Sequence, residues 1–133
     1  MKELIGSIAD LMGLAKLPIP FFYGRAPREV EKPYITYTVD SRSYENSMSE
    51  LGDLATLTIN VWSANESVDE VILLGDEVLA RLDGAMIEFE NSDYRCVRID
   101  RESWNVLPVD ELGGEVGWRA TIEYQIYYTH KTD

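Results

Sequence analysis

A chain of 133 residues with 45% hydrophobic side chains and 11% aromatics can build one ordinary core, and is too apolar for an acidic disordered polymer despite its net charge of −12. Its 24 acidic residues against 12 basic ones disfavour electrostatic binding to nucleic acid or to an anionic membrane, since both require a cationic surface. The single Cys96 excludes an internal disulfide framework and fits a reducing compartment. No apolar run approaches the ~20 residues of a membrane span, and Met1-Lys2-Glu3-Leu4-Ile5-Gly6 lacks the apolar stretch of a secretory signal.

Residues 2–16 place Leu4, Ile5, Ile8, Leu11, Met12 and Ala15 at three- and four-residue spacings, which predicts an amphipathic helix stopped by Pro18 and Pro20. A short strand follows at Phe21-Phe22-Tyr23, then a loop through Gly24-Arg25-Ala26-Pro27. Pro33 cannot donate to a sheet ladder, which suits the first position of a strand. Residues 34–40 alternate, with Ile35, Tyr37 and Val39 on one face and Tyr34, Thr36 and Thr38 on the other. Residues 54–62 repeat this, with Leu57, Ile59 and Val61 against Thr56, Thr58 and Asn60. Between these strands, the serine-rich stretch 41–53 is too long for a tight hairpin and predicts a loop that is mobile alone and ordered on assembly. Its apolar members, Tyr44, Met48 and Leu51, are candidate partner contacts; partial self-packing of a hairpin tip is the plainer alternative.

A second, long helix opens at Ser67-Val68-Asp69-Glu70, which fits a capping box, and closes at Gly84, which suits a left-handed cap. Val68, Val71, Ile72, Leu74, Gly75, Val78, Leu79 and Leu82 share one broad face. Glu66, Asp69, Glu70, Asp76, Glu77 and Asp83 fall on the opposite one, with Leu73 and Ala80 among them. That acidic face, Leu73 included, is a second candidate surface beside its plain reading as a solvated helix side. Two strand-like segments close the chain at 94–106 and 117–129. They are linked by a protruding acidic loop, 107–115, whose Asp110, Glu111 and Leu112 are further candidate contacts. The coarse order predicts a single-domain α+β fold over 1–133, a mostly antiparallel sheet packed against an N-terminal helix and one long central helix.

Nothing in the chain assembles into catalytic machinery, and no cofactor is implied. The one histidine, His130, lies three residues from the C-terminus, where chains fray, and with Cys96 it cannot complete a zinc set of nitrogen and sulfur ligands. Cys96 sits in an alternating strand as a small hydrophobe. Gly113-Gly114 lacks the Lys-Ser/Thr and ensuing helix of a phosphate loop. The pairs Asp69-Glu70 and Asp76-Glu77 spread over a helix surface rather than a calcium loop. Arg95, Arg98 and Arg101 beside Tyr94 are interrupted by Asp100 and Glu102, so they read as cross-strand partners of carboxylates rather than as a nucleic-acid site.

Several pieces, read in order, resemble the phage tail terminator and tail-completion proteins. They are the first helix, the Tyr23-to-Pro27 loop, Pro33-Tyr34-Ile35-Thr36-Tyr37, Leu57-Thr58-Ile59-Asn60-Val61-Trp62-Ser63-Ala64 running into a helix that ends Leu79-Ala80-Arg81-Leu82-Asp83-Gly84, and the aromatic strand Thr121 to Thr129. The resemblance implies a non-enzymatic virion or prophage protein, assembled in the bacterial cytoplasm. It implies a ring, a hexamer, that caps the tail tube, stops its polymerisation and offers a docking surface to the head connector. The implied partners are further copies of the chain, the major tail tube protein and the head-completion or connector protein, with no membrane and no specific nucleic-acid binding, although DNA passes through such a ring. Two other readings stay open: a neighbouring neck or stopper subunit, and an acidic DNA-mimic inhibitor suggested by the charge.

Overall fold

The computed structural model describes residues 19–45, 51–83, 94–110 and 116–130. They form one five-stranded sheet in the order β1-β2-β3-β5-β4. The strands are β1 Phe21–Tyr23, β2 Tyr34–Glu45, β3 Leu51–Ser63, β4 Tyr94–Asp110 and β5 Val116–His130, and one helix, α1, spans Asp69–Leu82. β1 runs parallel to β2, and every other pairing is antiparallel. The predicted α+β fold, with a sheet covered by an N-terminal and a long central helix, is therefore corrected. Among the described residues the protein is mostly β, with a single helix of 14 residues. The predicted helix at 2–16 lies outside the described residues.

The correction has a physical source in both predicted loops. Stretch 41–53 is largely ladder: Ser41 pairs with Ala55, Arg42 with Leu54, Ser43 with Asp53, Tyr44 with Gly52 and Glu45 with Leu51. Backbone groups bond across a hairpin whatever the polarity of the side chains, so serine content did not mark a loop here. The acidic stretch 107–115 likewise begins as strand, with β4 continuing through Asp110 opposite Val116. Pro108 is tolerated there because β4 is an edge strand, with β5 as its only neighbour among the described strands. His130, predicted to fray, pairs with Tyr94 in the ladder.

Alternation places the core on one face of the sheet. Ile35, Tyr37 and Val39 of β2, Leu57, Ile59 and Val61 of β3, and Ala120, Ile122, Tyr124 and Ile126 of β5 are all buried there. The helix lies across β3 and β5 and presents Val71, Gly75, Val78, Leu79 and Leu82 to them, much as its periodicity predicts. Each Val, Leu or Ile side chain among these contributes roughly 1.5–3 kcal/mol when fully buried. At Gly75 the missing side chain lets the Trp104 indole come within 3.3 Å of where a Cβ would sit.

The start of the helix departs from the predicted capping box. Val68 occupies the N-cap position without a side-chain cap bond. Ser67 Oγ accepts from the Asp69 amide at 3.2 Å, while the Glu70 carboxylate accepts a 2.7 Å bond from Ser63 Oγ instead of reaching back to Ser67. Ser63 Oγ also accepts from the Asn65 amide, so the end of β3 and the first helical turn are tied together. Gly84, the predicted cap, lies outside the described residues; Asp83 ends the helix in extended geometry, its amide still bonded to the Leu79 carbonyl. Pro33, expected at the first position of a strand, stands one residue before β2, and the Lys32-Pro33 bond is cis.

Candidate interaction surfaces

The first surface is the pair of hairpin ends. The β2–β3 hairpin turns beyond the Glu45–Leu51 pair, and β3 aligns Gly52 with Thr129 at one end of β5. The β4–β5 hairpin turns beyond Asp110–Val116, at the other end of β5, where Gly117 pairs with Val109. Gly117 and Thr129 are separated by about 40 Å of extended chain. The candidate contacts Tyr44 and Leu51 thus sit at one end of the sheet and Asp110 at the opposite end. Met48, Glu111 and Leu112 lie outside the described residues. The sequence puts these candidates in two separate loops; the register shows that Tyr44 and Leu51 lie at one end of the sheet and Asp110 at the other.

The second surface is the helix flank. Of the six acids predicted to form one face, Glu66, Asp69, Asp76 and Glu77 are exposed and directed to solvent. Glu77 meets Arg81 one turn on, at 3.6 Å. Leu73 stands among them at 66% exposure, the most exposed large apolar residue described. Two acids leave this face. Glu70 is drawn to Ser63, and Asp83 accepts a 2.7 Å bond from the Tyr124 hydroxyl while its second oxygen lies 3.4 Å from Arg101. Tyr124 is wholly buried. That burial, and then the bond to Asp83 and its charge, hold the phenol neutral well above the usual tyrosine range, with Arg101 opposing. Burial likewise raises Tyr37, with a smaller contribution from Tyr23 beside it.

The third surface is the sheet face opposite the helix, which the sequence reading did not single out. Its centre is a polar ladder: Thr121 donates to Asn60 at 2.8 Å, and Thr56 donates to Gln125 at 3.2 Å. At the end nearest the β4–β5 hairpin the ladder gives way to an aromatic and cationic cluster. Trp62 pairs with Tyr34 on one side and Arg119 on the other. Its indole donates to Thr36 Oγ1 at 3.0 Å, and the Arg119 guanidinium and Lys32 ammonium lie 5.4 and 5.7 Å from its ring centroid. Phe22 continues the cluster, edge-on to Tyr34 at 6.4 Å. Arg119 makes no ion pair among the described residues, and its Nε is buried without a hydrogen-bond partner. The signal lay in alternation, which puts Trp62 and Arg119 on the polar faces of their strands; only the register brings them together.

No three His, Cys, Asp or Glu side chains converge as metal ligands among the described residues. No described helix is long and apolar enough to cross a membrane. The Asp83–Arg101 pair opens onto a shallow groove beside Ile99 and Asp100.

A family model described as tail completion protein gp17 matches residues 4–129. Among solved structures, a chain from the virion of a native gene transfer agent (GTA) particle superimposes with a TM-score of 0.67 at 15% identity, covering 91% of this chain and 83% of that one. At that identity the likeness establishes the fold. No curated protein sequence matches the chain significantly.

Proposed function

The chain belongs to the family of tail completion protein gp17, a family of structural virion proteins of the phage tail, and we propose that it closes the tail tube as a ring of identical subunits, a hexamer. In that ring it stops tube polymerisation and presents a surface to the head connector. The observation that carries this reading is the placement of the two hairpins at opposite ends of one long sheet. A subunit that joins a tube to a connector needs two contact ends held at a fixed spacing, and continuous antiparallel strands supply a stiff spacer between them. The contacts we assign to these two partners are Tyr44 and Leu51 at one end, together with Met48 between them in the chain, and Asp110 at the other, together with Glu111 and Leu112 that follow it in the chain. The work is binding, with no reacting group required, in keeping with the structural character of the family. A virion location follows, with assembly in the host cytoplasm.

The test is electron microscopy of the protein mixed with purified, uncapped tail tubes. Ring density at one tube end and arrest of elongation are expected. Tubes that keep growing, with the protein present only as isolated monomers, would overturn the proposal. Binding to the connector without binding to tubes would move the chain to a neighbouring neck position.

A further inference from the structure

We propose that the Trp62–Arg119–Lys32 cluster receives the acidic flank of the helix of a second copy of this chain, so that the subunits of the ring join head to tail through opposite faces of the sheet. The inference rests on the ring reading above and adds which surfaces meet. The helix covers one sheet face and turns Asp69, Asp76 and Glu77 outward. The cationic cluster lies on the other face, because Trp62, Tyr34 and Arg119 alternate with the core residues Val61, Ile35 and Ala120. The two surfaces are opposite in sign and separated by the thickness of the sheet, so one chain cannot bring them together. A second copy can.

A contact between different patches on identical subunits is heterologous. Repeated, it closes into a ring or runs on as a filament. Docking also offers Arg119 a carboxylate, which it does not have among the described residues, and its guanidinium is already held over the ring of Trp62. A guanidinium fixed in that way loses little rotamer freedom on binding a carboxylate. Leu73, exposed in the middle of the acidic flank, then has an aromatic surface to cover it.

The experiment uses the full chain and measures self-association by sedimentation at about 0.1 M salt, where exposed ion pairs still count. One variant reverses the helix flank (Asp69→Lys, Asp76→Lys, Glu77→Lys), a second reverses the cluster (Lys32→Glu, Arg119→Glu), and a third carries all five changes. Each one-face variant is expected to lose about ten-fold or more in association, as the loss of a few exposed charge pairs implies. Mixing the two variants, or combining the changes in one chain, is expected to restore it, because each reversed flank then faces a reversed cluster. A second readout is independent of charge: in a Cys96→Ser background, Asp76→Cys chains are expected to form disulfides with Arg119→Cys chains and not among themselves. Wild-type assembly that persists in both one-face variants, a loss that mixing does not repair, or no cross-link across the two faces overturns this inference and leaves the ring standing. Wild-type chains that never associate, with or without tubes, overturn both.

Discussion

The bond from Tyr124 to Asp83 closes the helix onto the sheet, and its removal has an asymmetric cost. The phenol is fully buried, while the Asp83 side chain keeps 44% of its surface and also faces Arg101. In Tyr124→Phe the carboxylate loses one 2.7 Å donor but remains open to water and to Arg101. The cost is then near the lower end for a bond to a charged group, about 1–2 kcal/mol. In Asp83→Ala the buried hydroxyl loses its acceptor, which costs about 1–3 kcal/mol; Arg101 loses its partner as well. The single variants should therefore rank with Asp83→Ala the less stable. The double variant should cost less than their sum by about 1–2 kcal/mol, because the pair acts as a unit. Urea unfolding of the four proteins gives these differences directly, and each kcal/mol corresponds to a Tm shift of roughly 3–5 °C in a chain of this size. Additivity within about 0.3 kcal/mol, or a Tyr124→Phe variant as stable as wild type, would refute the assignment of the bond as the clasp between helix and β5.

The same tyrosine sets an alkaline limit. Its pKa is raised in the fold above the unfolded value of about 10, so the stability it lends is full below that pH and drains away as pH climbs further; the fall in the urea midpoint above pH ~10 should be smaller in Tyr124→Phe. Gly117→Ala is expected to cost about 3 kcal/mol or more, since a Cβ there would overlap the Ser63 carbonyl oxygen, a backbone group that cannot swing aside; a soluble variant with an unchanged unfolding midpoint would refute this. Leu73→Ser should leave folding within about 0.5 kcal/mol because the side chain is 66% exposed, while weakening self-association. Replacing Tyr44, Met48 and Leu51 by serine should spare tube-independent folding and abolish tail attachment, scored by infectivity and by microscopy of free tails.

Alternation carried most of the readable information. It identified the core faces of β2, β3 and β5, and three- and four-residue spacing identified the buried face of the helix, down to Gly75. It could not find where strands end. Ser41 to Glu45 and Leu107 to Asp110 are polar, acidic or proline-bearing, yet they sit in the ladder because pairing depends on a neighbour's backbone and on edge position. Pairing also hides irregularity: the register shifts between Cys96 and Arg98 and between Arg101 and Ser103. Ile99 and Arg101 share the helix-covered face by plain alternation, and the second shift brings Trp104 onto that face, opposite Ile122, where it reaches Gly75. Among the acids, helical geometry grouped six residues by angle, but it could not show that Ser63 takes Glu70 or that Tyr124 takes Asp83, since Ser63 ends β3 just before the helix and Tyr124 comes from a strand distant in sequence.

Charge gives the assembly reading its sharpest consequence. With −12 on every subunit, neighbours repel over long distances, and that repulsion fades once the screening length falls from ~30 Å at 0.01 M salt to ~10 Å at 0.1 M. Ion pairs made at contact survive until the screening length nears ~3 Å, at about 1 M. Wild-type association should therefore rise and then fall as salt increases. Each acid-to-lysine change adds two charges, so the three changes on the helix flank move the subunit from −12 to −6. If net repulsion alone governed assembly, that variant would associate more readily than wild type at low salt. If the flank docks on the cluster of a neighbour, it associates less readily at all salt concentrations below the ~1 M that screens contact pairs, because the lost contacts are local and the relieved repulsion is diffuse. The two accounts thus predict opposite signs for one measurement on one protein.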